Sequence, residues 1–204
     1  IIESKKTKLS FDVSYINGTT GFGANEDPKD ISDQDPNAQF HAIELGVSRV
    51  LKPQKWGRWV LSARGKFSEV ALYGPEQTPL GTRSTVRGFE SAPFSADRAL
   101  YIRNDVILNM GEGWKSMTDY LPGGNKSMLG AFAQSVKPYV FLDVGVGHSQ
   151  SQETTNSVGG FGGGLKFNGK RLNLDIGTEV PVARREFRAF NPPRFMASVA
   201  VNWP

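Results

Sequence analysis

The sequence predicts an all-β protein, and three observations carry that prediction. Apolar and polar residues alternate with a period of two over stretches of about ten residues, as in strands with one apolar and one polar face. The breaks between these stretches are rich in Gly, Pro, Asn and Asp and alternate between short and long. No apolar run approaches the ~18 residues that a membrane helix needs, and mean hydropathy is negative. A helical membrane protein is thereby excluded. A membrane barrel is not, because its alternating strands average out to polar.

About eight strands can be drawn, in order. Over residues 8–16, Leu9, Phe11, Val13 and Tyr15 share a face opposite Lys8, Ser10, Asp12 and Ser14. A polar loop follows over 17–37, then a strand over 40–51 with Ile43, Leu45 and Val47 on its apolar face. After a short turn at 53–57 comes a strand over 58–70, where Trp59, Leu61, Ala63 and Phe67 oppose Ser62, Arg64, Lys66 and Ser68. A long loop over 73–98 leads to the strand 99–110. Residues 111–134 form a second irregular connection, with room for a short helix or plug-like turn over 114–120. The last four strands have the cleanest alternation, over 139–147, 158–167, 171–182 and 195–203. They are joined by links at 150–157 and 183–193 and a short turn at 168–170.

Alternation alone fits two architectures. In a soluble β-sandwich the apolar face packs inward; in a transmembrane antiparallel barrel it faces lipid. Two features favour the barrel. The polar face carries glycine and mixed charge: Arg64, Lys66, Arg103, Asp105, Asp143, Lys166, Asp175 and Glu179. Aromatic residues recur near strand ends, at Trp59, Phe67, Phe167, Phe195 and Trp203, as in interfacial girdles.

Composition narrows the chemistry. The chain has 204 residues, no cysteine, two histidines and a formal charge of +4. No disulfide or thiolate metal site is expected, and no cofactor. His41 and His148 fall on different strands and read as polar strand-end residues. The basic residues are scattered, so a nucleic-acid partner has no support. The glycines at 159–164 lack the Lys-Ser/Thr and the helix of a phosphate loop. Asp175 and Glu179 share a face but stand about 13 Å apart, too far for a hydrolytic carboxylate pair. There is no nucleophile elbow with a triad, so no enzyme is expected.

Two motifs stand out. Val86-Arg87-Gly88-Phe89 lies mid-loop, with Gly88 free to turn where a Cβ would clash. Arg87 offers a planar fork of donors suited to a carboxylate. In Tyr139-Val140-Phe141-Leu142-Asp143-Val144-Gly145, the residues Phe141, Asp143 and Gly145 share one strand face. Asp143 is a charge on an otherwise apolar strand and needs a partner such as Arg87. The glycines at 160, 162 and 164 would leave room beside it for a docked loop.

These two motifs, with Asp97-Arg98 and the tract Tyr101-Ile102-Arg103-Asn104-Asp105, resemble the transporter component of two-partner secretion. That family belongs to the outer-membrane superfamily that transports polypeptides and assembles barrels. The resemblance implies a loop folded back into the barrel, with Arg87 meeting Asp143 and Phe89 near Phe141. It implies that this chain is the C-terminal half of a sixteen-stranded barrel, preceded by POTRA domains. The N-terminal Ile1-Ile2-Glu3-Ser4-Lys5 has no signal-peptide order, in keeping with that. The implied function is passage of an unfolded exoprotein (adhesin, haemolysin or contact-inhibition toxin) across the bacterial outer membrane. The implied lumen lining is Arg64, Lys66, Tyr101, Arg103, Asp105, Lys166, Asp175 and Glu179. Lipid or lipopolysaccharide, and the barrel-assembly machinery that reads a terminal aromatic strand, are the other implied partners. Pro204 after Trp203 departs from that terminal pattern. An insertase of the same superfamily and a free-standing eight-stranded barrel remain as alternatives.

Overall fold

The computed structural model describes residues 2–4, 6–21, 23–24, 26–51, 57–109, 135–169, 171–183 and 192–201. In chain order the strands are β1 (Ile2–Glu3), β2 (Thr7–Asn17), β3 (His41–Leu51), β4 (Gly57–Ser68), β5 (Thr78–Leu80), β6 (Phe94–Ala96), β7 (Arg98–Leu108), β8 (Val136–Ser149), β9 (Thr154–Asn168), β10 (Leu172–Ala183) and β11 (Arg194–Val201). Nine of them make one antiparallel sheet whose order follows the chain, from β1 at one edge to β11 at the other. Among the described residues the sheet does not close on itself. β5 and β6 pair separately, as a small hairpin inside the long loop between β4 and β7.

The eight expected strands are all in the sheet, and β1 is an addition at its edge. The loop over 73–98 is more regular than its breakers suggest: a 3-10 turn at Gly74–Glu76 precedes the hairpin. The link expected over 150–157 is a correction. β8 and β9 run on to Ser149 and Thr154, and a tight turn joins them, with Glu153 at φ 50°. Most of the 53–57 turn, the segment 111–134 with its suggested helix, most of the link at 183–193 and the aromatic end at Trp203 lie outside the described residues.

The register sorts every strand into the same two faces. Tyr15, Ile43 and Phe67 line up across β2–β4, and Leu100 and Val146 across β7–β8. Leu142 and Phe161 align across β8–β9, and Leu165 and Ile176 across β9–β10. This apolar face is uncovered: Val13 and Phe195 are each 72% exposed, and Phe161 and Leu165 are about half exposed. A soluble sandwich would bury this face, and water would not tolerate so continuous an apolar surface. The sheet is therefore the wall of a transmembrane β-barrel, with hydrocarbon outside. One polar residue of the tract, Asn104, lies on the outer face, where its side-chain oxygen accepts the Trp59 indole N–H. That pairing removes much of the cost of an amide in lipid.

The buried apolar residues lie on the other face, and there they pack against the loop rather than a second sheet. Leu80, Val86, Phe89 and Ala96 of the loop cluster with Ala99 and Val158 of the wall. All eight of the expected lumen residues stand on this inner face. Arg103 is in register with Asp143. Arg64, Tyr101, Asp105 and Glu179 lie two positions away along their strands, Lys66 four, and Lys166 and Asp175 six.

Candidate functional site

The site is the seat of the long loop on the inner wall. It is held first at its base. Asp97 is fully buried, and its carboxylate accepts the Leu72 amide at 2.7 Å, the Gln77 side chain at 3.0 Å and the Gln150 amide at 2.8 Å. Its own amide donates to the His148 carbonyl at 3.1 Å. One carboxylate thus ties the start of the loop, its end and the β8–β9 turn together. Arg98 Nε adds a bond to the Ser68 carbonyl at 2.7 Å. Lower down, Lys66 Nζ donates to the Glu76 carbonyl at 2.7 Å and lies 3.3 Å from the Glu44 carboxylate.

The tip is shaped by its own hydroxyls before it meets the wall. Thr85 Oγ1 donates to the Pro79 carbonyl at 3.0 Å and accepts the Thr82 amide at 3.1 Å. This closes the loop just before Val86. Gly88 then takes φ +111°, a conformation that a side chain would strain, and presses on the Pro181 backbone.

Arg87 is the centre of the cluster. Its Nε donates to Asp143 Oδ2 at 2.6 Å and its Nη2 to Asp143 Oδ1 at 2.7 Å. Its backbone amide reaches Asp143 Oδ2 at 3.1 Å. Asp105 is a second partner, meeting Nη1 at 2.7 Å and Nη2 at 3.1 Å. The guanidinium lies 3.8 Å from the centre of the Phe141 ring, a cation–π contact. Burial opposes its charge, and the carboxylates of Asp143 and Asp105 outweigh that, raising its pKa above the ordinary value. Arg103 stands opposite Asp143 in register and donates through Nη1 to the Ser84 carbonyl at 3.1 Å. Two arginines and two aspartates make the cluster neutral overall, which is what a buried site needs.

Several side chains sit elsewhere than the sequence suggested. Phe89 does not pack on Phe141; it joins Leu80, Val86 and Val158, and Arg87 takes the face of Phe141 instead. Gly145 leaves room for Val86, since a Cβ there would come within 2.9 Å of Val86 Cγ2. Of the three inner-face glycines of β9, Gly160 serves the loop: a Cβ would fall 1.8 Å from the Arg87 carbonyl oxygen. Gly162 makes room for the Phe141 ring, and Gly164 for the Ile176 carbonyl of the adjacent strand. Arg64 and Tyr101 stand side by side above the cluster, and Lys166 and Asp175 below it, 3.9 Å apart. Tyr139 Oη donates to Asp175 at 2.9 Å. Glu179 is buried beside the seat.

Sequence reasoning gave no role to Asp97 or Arg194 and did not pair Asp105 with Arg87. Arg194 Nη1 donates to the Phe89 carbonyl at 2.5 Å, so β11 also holds the tip. The signal for Asp97 was there, as an acid between the loop's last breaker and an apolar strand. Asp105 and Arg194 could be placed only through the register. The arrangement holds a backbone in place and offers no nucleophile with a base. Among the described residues, no three His, Asp or Glu side chains could hold a metal.

The comparisons with known proteins agree with this fold. A CdiB outer membrane transporter of Escherichia coli is 28% identical over 179 residues, covering 86% of this chain and 27% of its own length. One from Dickeya dadantii is 35% identical over 97 residues, 48% of this chain and 17% of its own. The solved structure of CdiB from Escherichia coli superposes with a TM-score of 0.74 at 20% identity, over 98% of this chain and 34% of that one. The chain therefore spans about a third or less of these proteins. The family described as haemolysin secretion/activation protein ShlB/FhaC/HecB matches residues 3–167, and the chain belongs to that family.

Proposed function

We propose that this chain is the C-terminal barrel half of an outer-membrane pore that passes an unfolded exoprotein in two-partner secretion. The eight long strands would be the ninth to sixteenth of the closed barrel. POTRA domains and the earlier strands would precede them. The family and its outer-membrane relatives support the reading. The observation that carries it for this chain is the docking of Arg87 between Asp143 and Asp105. A loop filling the inner wall and held by a few polar contacts at its tip is a gate: firmly seated, yet separable without breaking a strand pair.

The remaining inner face suits a moving chain. Arg64, Lys66, Tyr101, Arg103, Lys166, Asp175 and Glu179 mix signs, so an extended polypeptide meets weak contacts and no single strong site. Export would draw its energy from folding of the cargo outside. Lipopolysaccharide would meet the outer face, and the barrel-assembly machinery would insert the strands. The cargo class (adhesin, haemolysin or contact-inhibition toxin) would be set by the part that precedes this barrel.

The test is secretion of the cognate exoprotein by the full-length transporter in cells. Arg87→Ala and Asp143→Ala should each impair secretion while the folded barrel still reaches the outer membrane. Normal secretion by both variants would remove the gate from this reading.

A further inference from the structure

On β10 and β11 the loop tip meets a carboxylate that the Arg87 cluster does not use. Glu179 is 5% exposed, and its buried Oε1 has no hydrogen-bond partner. An unpaired carboxylate oxygen in such a place is costly, so a structure that keeps one invites a reason. Few free donors stand around it on the inner face: the Tyr139 hydroxyl, which reaches the Gly177 position, already donates to Asp175. The inner-face neighbours along β10 are Gly177 and Pro181, and opposite it on β9 stands Gly162. On β11 its direct cross-strand partner is Arg194, with Met196 next along. Glycine and methionine side chains cannot donate, and proline lacks even the backbone N–H. Among these neighbours Arg194 is the one side chain able to serve Glu179. Directly opposed residues of an antiparallel pair stand close enough for that. Yet Arg194 Nη1 is committed to the Phe89 carbonyl of the loop tip.

We propose that Arg194 is a positioning residue for the loop tip and that Glu179 is its alternative partner, taken up when the tip leaves its seat. With the tip docked, Arg194 bonds the carbonyl just after Gly88 and pulls the turn onto Pro181. With the tip away, the guanidinium turns to its cross-strand neighbour and closes a charge-assisted pair on the wall. The exchange narrows the free-energy gap between seated and unseated tip. The unseated state satisfies a carboxylate that the seated state leaves half bare. The departure of the tip belongs to the transport reading above; the hold of Arg194 on the tip does not.

The experiment uses the full-length transporter in lipid nanodiscs, with no cargo present. A nitroxide is attached through Ser91→Cys, an exposed loop position beyond the tip, and the mobile component of its spectrum is read. In the Glu179→Gln background, where the unseated state has no ion pair to lose, Arg194→Ala should raise the ratio of mobile to immobile spectrum about tenfold, the worth of one charge-assisted hydrogen bond; in the parent it should raise it less. Arg194→Lys should recover most of that, because an ammonium can still reach one carbonyl. A general structural role would not be rescued so. Glu179→Gln should lower the mobile component, since the unseated state loses its ion pair. In the Arg194→Ala background the same change should do much less. An Arg194→Ala change that leaves the Glu179→Gln spectrum unaltered overturns the proposal. So does a Glu179→Gln spectrum that is unchanged or more mobile. Should Arg194→Ala not fold, judged by heat-modifiable migration, the near-isosteric Glu179→Gln still decides the exchange. Since no cargo is involved, these outcomes stand apart from the secretion assay, where a failure of the transport reading would appear.

Discussion

Arg87 meets Asp143 twice over, through its guanidinium and through its own backbone amide. The second contact matters because it fixes the chain as well as the side chain. A long arginine could reach a carboxylate from many loop positions; the amide bond holds the Val86–Gly88 backbone against the wall. Asp143, fully buried, has no water to fall back on.

Removing either partner should therefore free the tip at a cost of about 3–5 kcal/mol, the range for breaking a buried ion pair by deleting one side. The quantity to measure is the opening free energy from hydrogen exchange over residues 86–89. The double variant Arg87→Ala/Asp143→Ala should be little worse than either single one. Arg87→Lys should recover only part, because a point charge cannot serve Asp143 and Asp105 in two planar forks. Asp105→Ala should cost less than Asp143→Ala. Asp105 is partly open to solvent, and Arg87 keeps Asp143 without it. Additive losses would argue that the two residues act separately.

Two adjacent glycines make a sharper test of the seat. Gly160→Ala places a methyl 1.8 Å from the Arg87 carbonyl oxygen, so the tip must lift or the strand must shift. Overpacking of this kind costs about 1–3 kcal/mol. Gly159→Ala, one residue earlier, points to the outer face and meets nothing closer than 3.4 Å. It should be close to neutral. Measured by the same exchange experiment, equal effects would mean that the strand, and not the loop, requires glycine at 160.

What the sequence could show here was set by range. Period two is local, so the faces of β2–β4 and β7–β11 were readable, and so were Asp143 on a strand and Arg87 in a loop. Pairing register is not local. That Asp105 stands opposite Phe141, and so beside Arg87, depends on how β7 slides against β8. A one-residue slip would have put it in lipid. The hairpin of β5 and β6 was hidden for another reason. Three-residue strands carrying Pro79 and Pro93 nearby read as punctuation. Phe89 was expected near Phe141 as part of the docked loop. In the structure the flat guanidinium of Arg87 competes for that ring face and takes it, because it is already anchored on both sides.

The outer face should punish charge according to depth. Phe161 is about half exposed and sits mid-strand on β9, opposite Leu142 and Val180. Phe161→Arg should destabilise the barrel by about 2–4 kcal/mol, as for a cation near the bilayer midplane. Ser198→Arg lies on the other face, opposite Asp175, and should cost well under half of that. Equilibrium unfolding in lipid vesicles would measure both. A larger loss for Ser198→Arg would show that the faces are reversed.

The last prediction separates the base of the loop from its tip. Asp97 gathers three donors from segments far apart in the chain: Leu72, Gln77 and Gln150. Asp97→Ala leaves two backbone amides without their partner in a buried place, each worth roughly 1–3 kcal/mol. Asp97→Asn keeps one carbonyl oxygen and should retain about half. The effect should be local in a way the Arg87 variants are not. The amides of Leu72 and Gln150 should exchange faster, because they lose their acceptor directly. The amide of Arg87, held by Asp143, should change little. The reverse pattern is expected for Asp143→Ala, with fast exchange at Arg87 and slow exchange at Leu72 and Gln150. If either variant loosens both ends equally, the loop opens as one cooperative unit and the base cannot act as a fixed hinge for the tip.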